Sequence, residues 1–214
     1  MDGRRPGAGG DPASHLKVRG WLGHSIGMAL RLIIVMACLG LAVLPASGQP
    51  RPAPPRETVD TLLEALKMAP SEDVARVLEQ KIRKRWFEAG SGVATLLMGR
   101  GMRDLANRAE REAVDDFNDA LVLEPNLTEA FHRRALARMA LGDYASALAD
   151  LQETLRREPR HFAALQTLSR IAEQRGDFKG ALAAWKKVLE LSPKTPEGEE
   201  RMKMLSRKVF GEEL

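Results

Sequence analysis

Cysteine is all but missing from this 214-residue chain: Cys38 stands alone inside an apolar run. The chain by itself can therefore build neither a disulfide nor a cysteine metal site. Aromatic residues are scarce at 5%, while Ala, Leu, Glu and Arg dominate, which suits stacked helices and argues against a sheet-rich fold. An excess of one charge is also lacking where it would matter. Five of the 33 basic and two of the 29 acidic residues fall within residues 1–48, leaving 28 basic and 27 acidic residues beyond. No domain-wide basic field attracts phosphate, so nucleic acid is not an expected partner.

Converging reactive groups are absent from the pattern as well. Beyond residue 48 the histidines are His132 and His161, on different elements, and a metal site would need further ligands. Asp115-Asp116 and Glu110–Glu112 read as solvated helix faces, and no glycine-rich phosphate loop occurs. No catalytic residue, cofactor or metal is expected, and the chain reads as a non-enzyme.

What is present begins with a leader. Residues 1–27 are rich in Gly, Pro and Arg and read as disordered. Met28-Ala29-Leu30-Arg31, the apolar run Leu32–Leu44 and Pro45-Ala46-Ser47-Gly48 have the layout of a secretory signal peptide. Cleavage after Gly48 would expose Gln49 and place the protein in a periplasm-like compartment, with Met28 as the expected start. The alternative is an uncleaved inner-membrane anchor over residues 21–44, the only route by which a membrane becomes a partner. Residues 49–56 hold four prolines and form a stiff linker.

Helical periodicity follows. Val59, Leu62, Leu63 and Leu66 mark one helix; Val74, Val77, Leu78 and Ile82 mark a second, opened by Ser71 as cap and closed by Gly90-Ser91-Gly92. Residues 57–92 are expected to form a hairpin that caps what comes next. Arg83-Lys84-Arg85-Trp86 could contact a phosphate or lipid headgroup, but a charged helix end with Trp86 in the core explains it more simply.

From residue 93 the chain writes one pattern repeatedly at a spacing of 34. Gly142-Asp143-Tyr144 returns as Gly176-Asp177-Phe178; Ala113, Ala147 and Ala181 align, as do Phe117, Leu151 and Trp185, and Pro125, Pro159 and Pro193. Such a period signifies stacked repeats. Small Ala allows two helices to approach, a large apolar residue follows on the same face, and Pro closes the second helix. Helices are expected near 93–105, 109–123, 127–141, 144–157, 161–174 and 178–191. A last helix from Pro196, with Met202, Leu205 and Val209 on its apolar side, would cap the end over residues 196–214.

These letters resemble the tetratricopeptide repeat (TPR), and more loosely the small exported TPR proteins of alphaproteobacteria. The units are 94–127, 128–161 and 162–195. Arg100 and Arg134 depart from the family's Leu, and Arg108 stands where its turn Gly belongs. The resemblance implies an all-α, right-handed solenoid of antiparallel helix pairs with caps at both ends. Ala113, Phe117, Ala120, Ala147, Leu151, Ala181, Trp185 and Val188 would be its packing residues. It also implies a concave groove for a protein or peptide, lined by Met98, Met102, Leu105, His132, Leu136, Met139, Gln166, Arg170 and Glu173. Of the family's carboxylate-gripping residues only Arg133 is matched. The Met-rich end suits an adaptable apolar contact, unless the N-terminal hairpin covers it. The expected function is a non-catalytic scaffold in envelope assembly. A self-assembling or anchored structural module and an enzyme-associated or carbohydrate-binding accessory are the alternatives.

Overall fold

The computed structural model describes residues 58–211. The leader, signal-peptide, anchor and linker readings lie outside the described residues. The segment 55–214 is one compact unit, and the account below concerns it alone.

Among the described residues there are nine helices and no strand: α1 Val59–Lys67, α2 Glu72–Phe87, α3 Gly92–Ala106, α4 Glu110–Leu123, α5 Thr128–Ala140, α6 Tyr144–Arg157, α7 Phe162–Gln174, α8 Phe178–Leu191 and α9 Gly198–Phe210. Polar caps set many of the starts. Ser71 accepts from Val74 N–H, Ser91 from Ala94, Asp143 from Ser146 and Asp177 from Gly180. Each satisfies a donor that the helix itself leaves unpaired. No helix among the described residues is long and apolar enough to cross a membrane.

The helices pair as α3–α4, α5–α6 and α7–α8, and each pair packs on the next. Within a pair the turn is centred on Arg108, Gly142 or Gly176, with φ of 62°, 77° and 77°. The left-handed turn is thus kept in the first unit although its glycine is not. Ala113, Ala147 and Ala181 are fully buried where the helices of a pair meet. Phe117, Leu151 and Trp185 fill the space behind them, joined by Ala120 and Val188. In the first unit the close approach also needs Gly101, where a Cβ would lie 2.8 Å from the Phe117 ring.

The two Arg departures have partners. Arg100 and Arg134 both reach the carboxylate sixteen residues on, Asp116 and Asp150, which is buried on the second helix of the same unit. The clasp recurs at the repeat spacing. In the third unit the same two positions hold Leu168 and Ala184, an apolar pair.

At the C-terminal end α9 packs on α8, with Leu205 buried and Met202 and Val209 beside it against Trp185 and Val188. The Trp185 indole donates to Gly198 O at 2.9 Å, and Arg201 lies over its ring. The expected cap is present, beginning at Gly198 after Glu197 in a left-handed conformation rather than at Pro196.

The N-terminal hairpin differs from the expected end cap. Its main tertiary contacts run from α2 to α5 and from α1 to α8, and Phe87 at the end of α2 joins the core of the first unit. Leu62, Leu63, Leu66, Ala75, Ile82 and Trp86 form one cluster with Phe162 and Ala163 of α7. The reason lies in its buried stripe, whose bulk matches the apolar start of α7. Polar ties add register: Glu79 accepts from the hydroxyls of Ser192 at 3.0 Å and Thr195 at 2.7 Å.

Candidate functional site

The first helices of the three units lie side by side, α5 touching both α3 and α7. A contact across the seam shows the register: the Arg133 guanidinium reaches the Met102 sulfur at 3.5 Å. On this row the groove residues fall into two groups. Met102, Leu105, Leu136, Met139, Gln166 and Glu173 are half-buried and Arg170 is exposed. Met98 is fully buried and His132 is 2% exposed, so neither offers surface to a partner in this conformation. Met98, Met102 and Leu105 belong to the core of the first unit, whereas Met139 packs with Ala135, Ala147 and Tyr144.

The hairpin covers the other end of the row. Arg83 donates to Gln166 at 2.9 Å and stands 4.8 Å over the Phe162 ring. Lys84 pairs with Glu88 at 3.5 Å, and Trp86 is buried. The Arg83–Trp86 run is therefore spent largely on internal contacts. Arg133, the one match to the carboxylate-gripping set, is paired with Glu129 at 2.5 Å.

Beneath Trp86 lies a buried polar cluster that the sequence did not announce. Glu129 Oε2 sits 2.8 Å from His161 Nε2 and 3.6 Å from His132 Nδ1. Trp86 stacks on His161 at 4.0 Å with planes 13° apart. The repeat contains a signal for this: Glu129 and His132 share a turn of α5, while His161 ends the unit. Equivalent positions of adjacent units are spatial neighbours, so the end of one unit returns beside its own start.

The residue types are those of a metal site, with ligand atoms all within 4.8 Å. The hydrogen bonds argue otherwise. His161 Nδ1 accepts from the Ala164 N–H that it caps, so the neutral ring carries its proton on Nε2 and donates to Glu129. A metal on Nε2 would require that proton to leave and the cap to reverse, whereas metal-bound histidines donate from their other nitrogen. Thr167 donates its hydroxyl proton to Ala163 O and lies 3.3 Å from His132 Nε2, while His132 Nδ1 faces Glu129 Oε2 at 3.6 Å. Burial pushes His132 down to about 4, which matches a neutral ring. Burial alone would raise Glu129, but His132, His161 and Arg133 together hold it well below the usual carboxylate range. Glu129 is the hub of this buried network, held by Arg133 at 2.5 Å and His161 at 2.8 Å, with the Thr167 hydroxyl beside His132.

Trp86 and Glu129 also line a cleft of about 740 Å³ with Asp60, Glu124, Arg157, Glu158 and Arg160. Four acids face two arginines there, and Arg160 pairs with both Asp60 and Glu158.

Stacked helical hairpins with a repeated small-residue seam define the class: a helical-repeat solenoid. The tetratricopeptide repeat model matches residues 132–196. A TPR repeat-containing protein of Rhizobium etli is 30% identical over 157 residues, covering 73% of this chain and 77% of that one. The chain belongs to the tetratricopeptide repeat family. Among solved structures, the Sgt2 TPR domain from Aspergillus fumigatus has a TM-score of 0.52 at 23% identity, covering 56% of this chain and 80% of that one. The first TPR of Spaghetti (RPAP3), bound to the HSP90 peptide SRMEEVD, also has a TM-score of 0.52, at 20% identity over 56% and 95% of the two chains. The fold is a scaffold for protein–protein interaction, and proteins of the family are generally non-catalytic adaptors.

Proposed function

We propose that this protein is an exported, non-catalytic adaptor that holds a protein segment on its concave face and serves assembly of an envelope complex. One observation carries the reading. Side chains from successive first helices, Met102, Leu136, Met139, Gln166, Arg170 and Glu173, remain partly or fully accessible after the fold has used the rest. They grade from apolar to polar along the row, which suits an amphipathic or extended segment. Unbranched Met accommodates varied partner shapes. The Spaghetti (RPAP3) TPR domain shows that the fold takes a peptide. The export part rests on the signal-like residues 28–48.

Two measurements test it. Mass spectrometry of the protein from its host should find Gln49 as the first residue; an intact chain in the membrane fraction would sink export in favour of an anchor. Met102→Glu with Met139→Glu should abolish co-purification of the bound partner while circular dichroism keeps its helical signal, at a lower melting temperature because both side chains are half-buried. Retained co-purification would remove this face as the binding surface.

A further inference from the structure

Helix α2 docks across the start of α7 and reaches the groove residue Gln166. It packs chiefly against α5, while Phe87 at its end joins the core of the first unit. A single stripe does the docking: Ala75, Glu79, Ile82 and Trp86 are buried, while the intervening Arg76 and Val77 are exposed. Each docking group meets a distinct feature. Trp86 stacks on His161 and packs against Phe162 with centroids 5.2 Å apart. Ile82 and Ala75 share the apolar cluster of Phe162 and Ala163. Glu79 takes two hydroxyl donors from the end of the third unit, and Arg83 takes Gln166. Spacings of i, i+4, i+7 and i+11 are those by which a helix is read in a groove. Trp and Arg are the side chains that most often dominate such recognition.

We propose that this seat is a helix-binding site occupied in cis by α2, and that the protein partner displaces α2 with an amphipathic helix of the same stripe. That helix carries a small residue, a carboxylate four positions on, an aliphatic–Arg pair three further, and a Trp four beyond the aliphatic. The proposal names the partner class for the concave-face reading and rests on it. Tethering supplies α2 at an effective concentration in the millimolar range, so an incoming helix gains affinity when α2 is weakened.

A fluorescent peptide of residues 71–88 titrated with the full chain tests this. Binding should be weak to the native protein and about tenfold or more tighter to Ile82→Ala/Trp86→Ala, whose own helix no longer competes. The same two changes placed in the peptide, or Ala163→Glu in the protein, should abolish binding. Hydrogen exchange should show α2 released and α4–α8 still protected. If the double variant does not fold, Glu79→Ala/Arg83→Ala weakens the two polar ties and serves in its place. No peptide binding to a variant whose α4–α8 remain protected would overturn the proposal and make α2 a permanent part of the fold. Partner capture that still depends on Met102 and Met139 would then show that only the seat assignment had failed. Peptide binding without any such dependence would uphold the seat and sink the Met-face reading.

Discussion

At the residue scale, His132 makes the fold acid-sensitive. Its ring lies near Glu129, Arg133 and His161, and burial depresses it from 6.5 to about 4. The unfolded state therefore binds the proton first. Stability is fully present above pH 6.5 and is lost as pH falls towards 4, by about 3 kcal/mol from this group alone. Glu129, held low in the fold, acts in the same direction below its own unfolded value. Urea melts at pH 7 and pH 4 should show the loss, and His132→Gln should shrink it. Arg108 holds a second residue-scale expectation. At φ 62° it bears a left-handed strain that Gly142 and Gly176 avoid. Arg108→Gly should raise stability by about 0.5–1 kcal/mol, the relief exceeding the entropy that Gly adds to the unfolded chain. An unchanged melting curve would mean the turn is not strained.

At the element scale, the units are clasped in two ways. Asp150 accepts from Arg134 through two bonds, at 3.0 and 2.6 Å, and from Arg138 at 2.7 Å. Its carboxylate is nearly inaccessible, so removing it strands Arg134 beside the core. Asp150→Ala should cost about 3 kcal/mol or more. The third unit shows the other solution, with Leu168 and Ala184 at the same repeat positions. Copying it as Arg134→Leu/Asp150→Ala should restore most of the loss, since a buried ion pair and a well-packed apolar pair are often near-equal. A double-mutant cycle measures this directly; additive losses would show that the clasp is not a coupled pair.

At the scale of the whole molecule, the hairpin changes how the solenoid coheres. A solenoid couples only neighbouring repeats. Here α2 reaches α5, α1 reaches α8, and Glu79 ties to Ser192 and Thr195 more than a hundred residues on. That long-range link should make unfolding more cooperative than stacking alone allows. Trp86→Ala with Ile82→Ala should lower the urea midpoint and also the m-value, because the hairpin no longer unfolds with the repeats. A lowered midpoint with an unchanged slope would show that the repeats cohere without it.

Much of this fold was legible in the chain itself. The spacing of Ala113, Ala147 and Ala181 marks where helices must approach, Ser71 and Gly142-Asp143 mark where they start and turn, and each depends on neighbours within one unit. Period and cap chemistry are local, so the sequence by itself determined the solenoid, its register and the C-terminal cap. The readings of Arg100 and Arg134 as mere departures missed their carboxylates, because pairing across a unit shows only once both helices are placed. Tertiary structure alone decided that α1–α2 turns back on to α5, α7 and α8. It also brought Glu129, His132, His161 and Trp86 into one buried cluster. Those contacts join residues far apart in sequence through complementary shape and charge, and no local period encodes which distant face an amphipathic helix will choose.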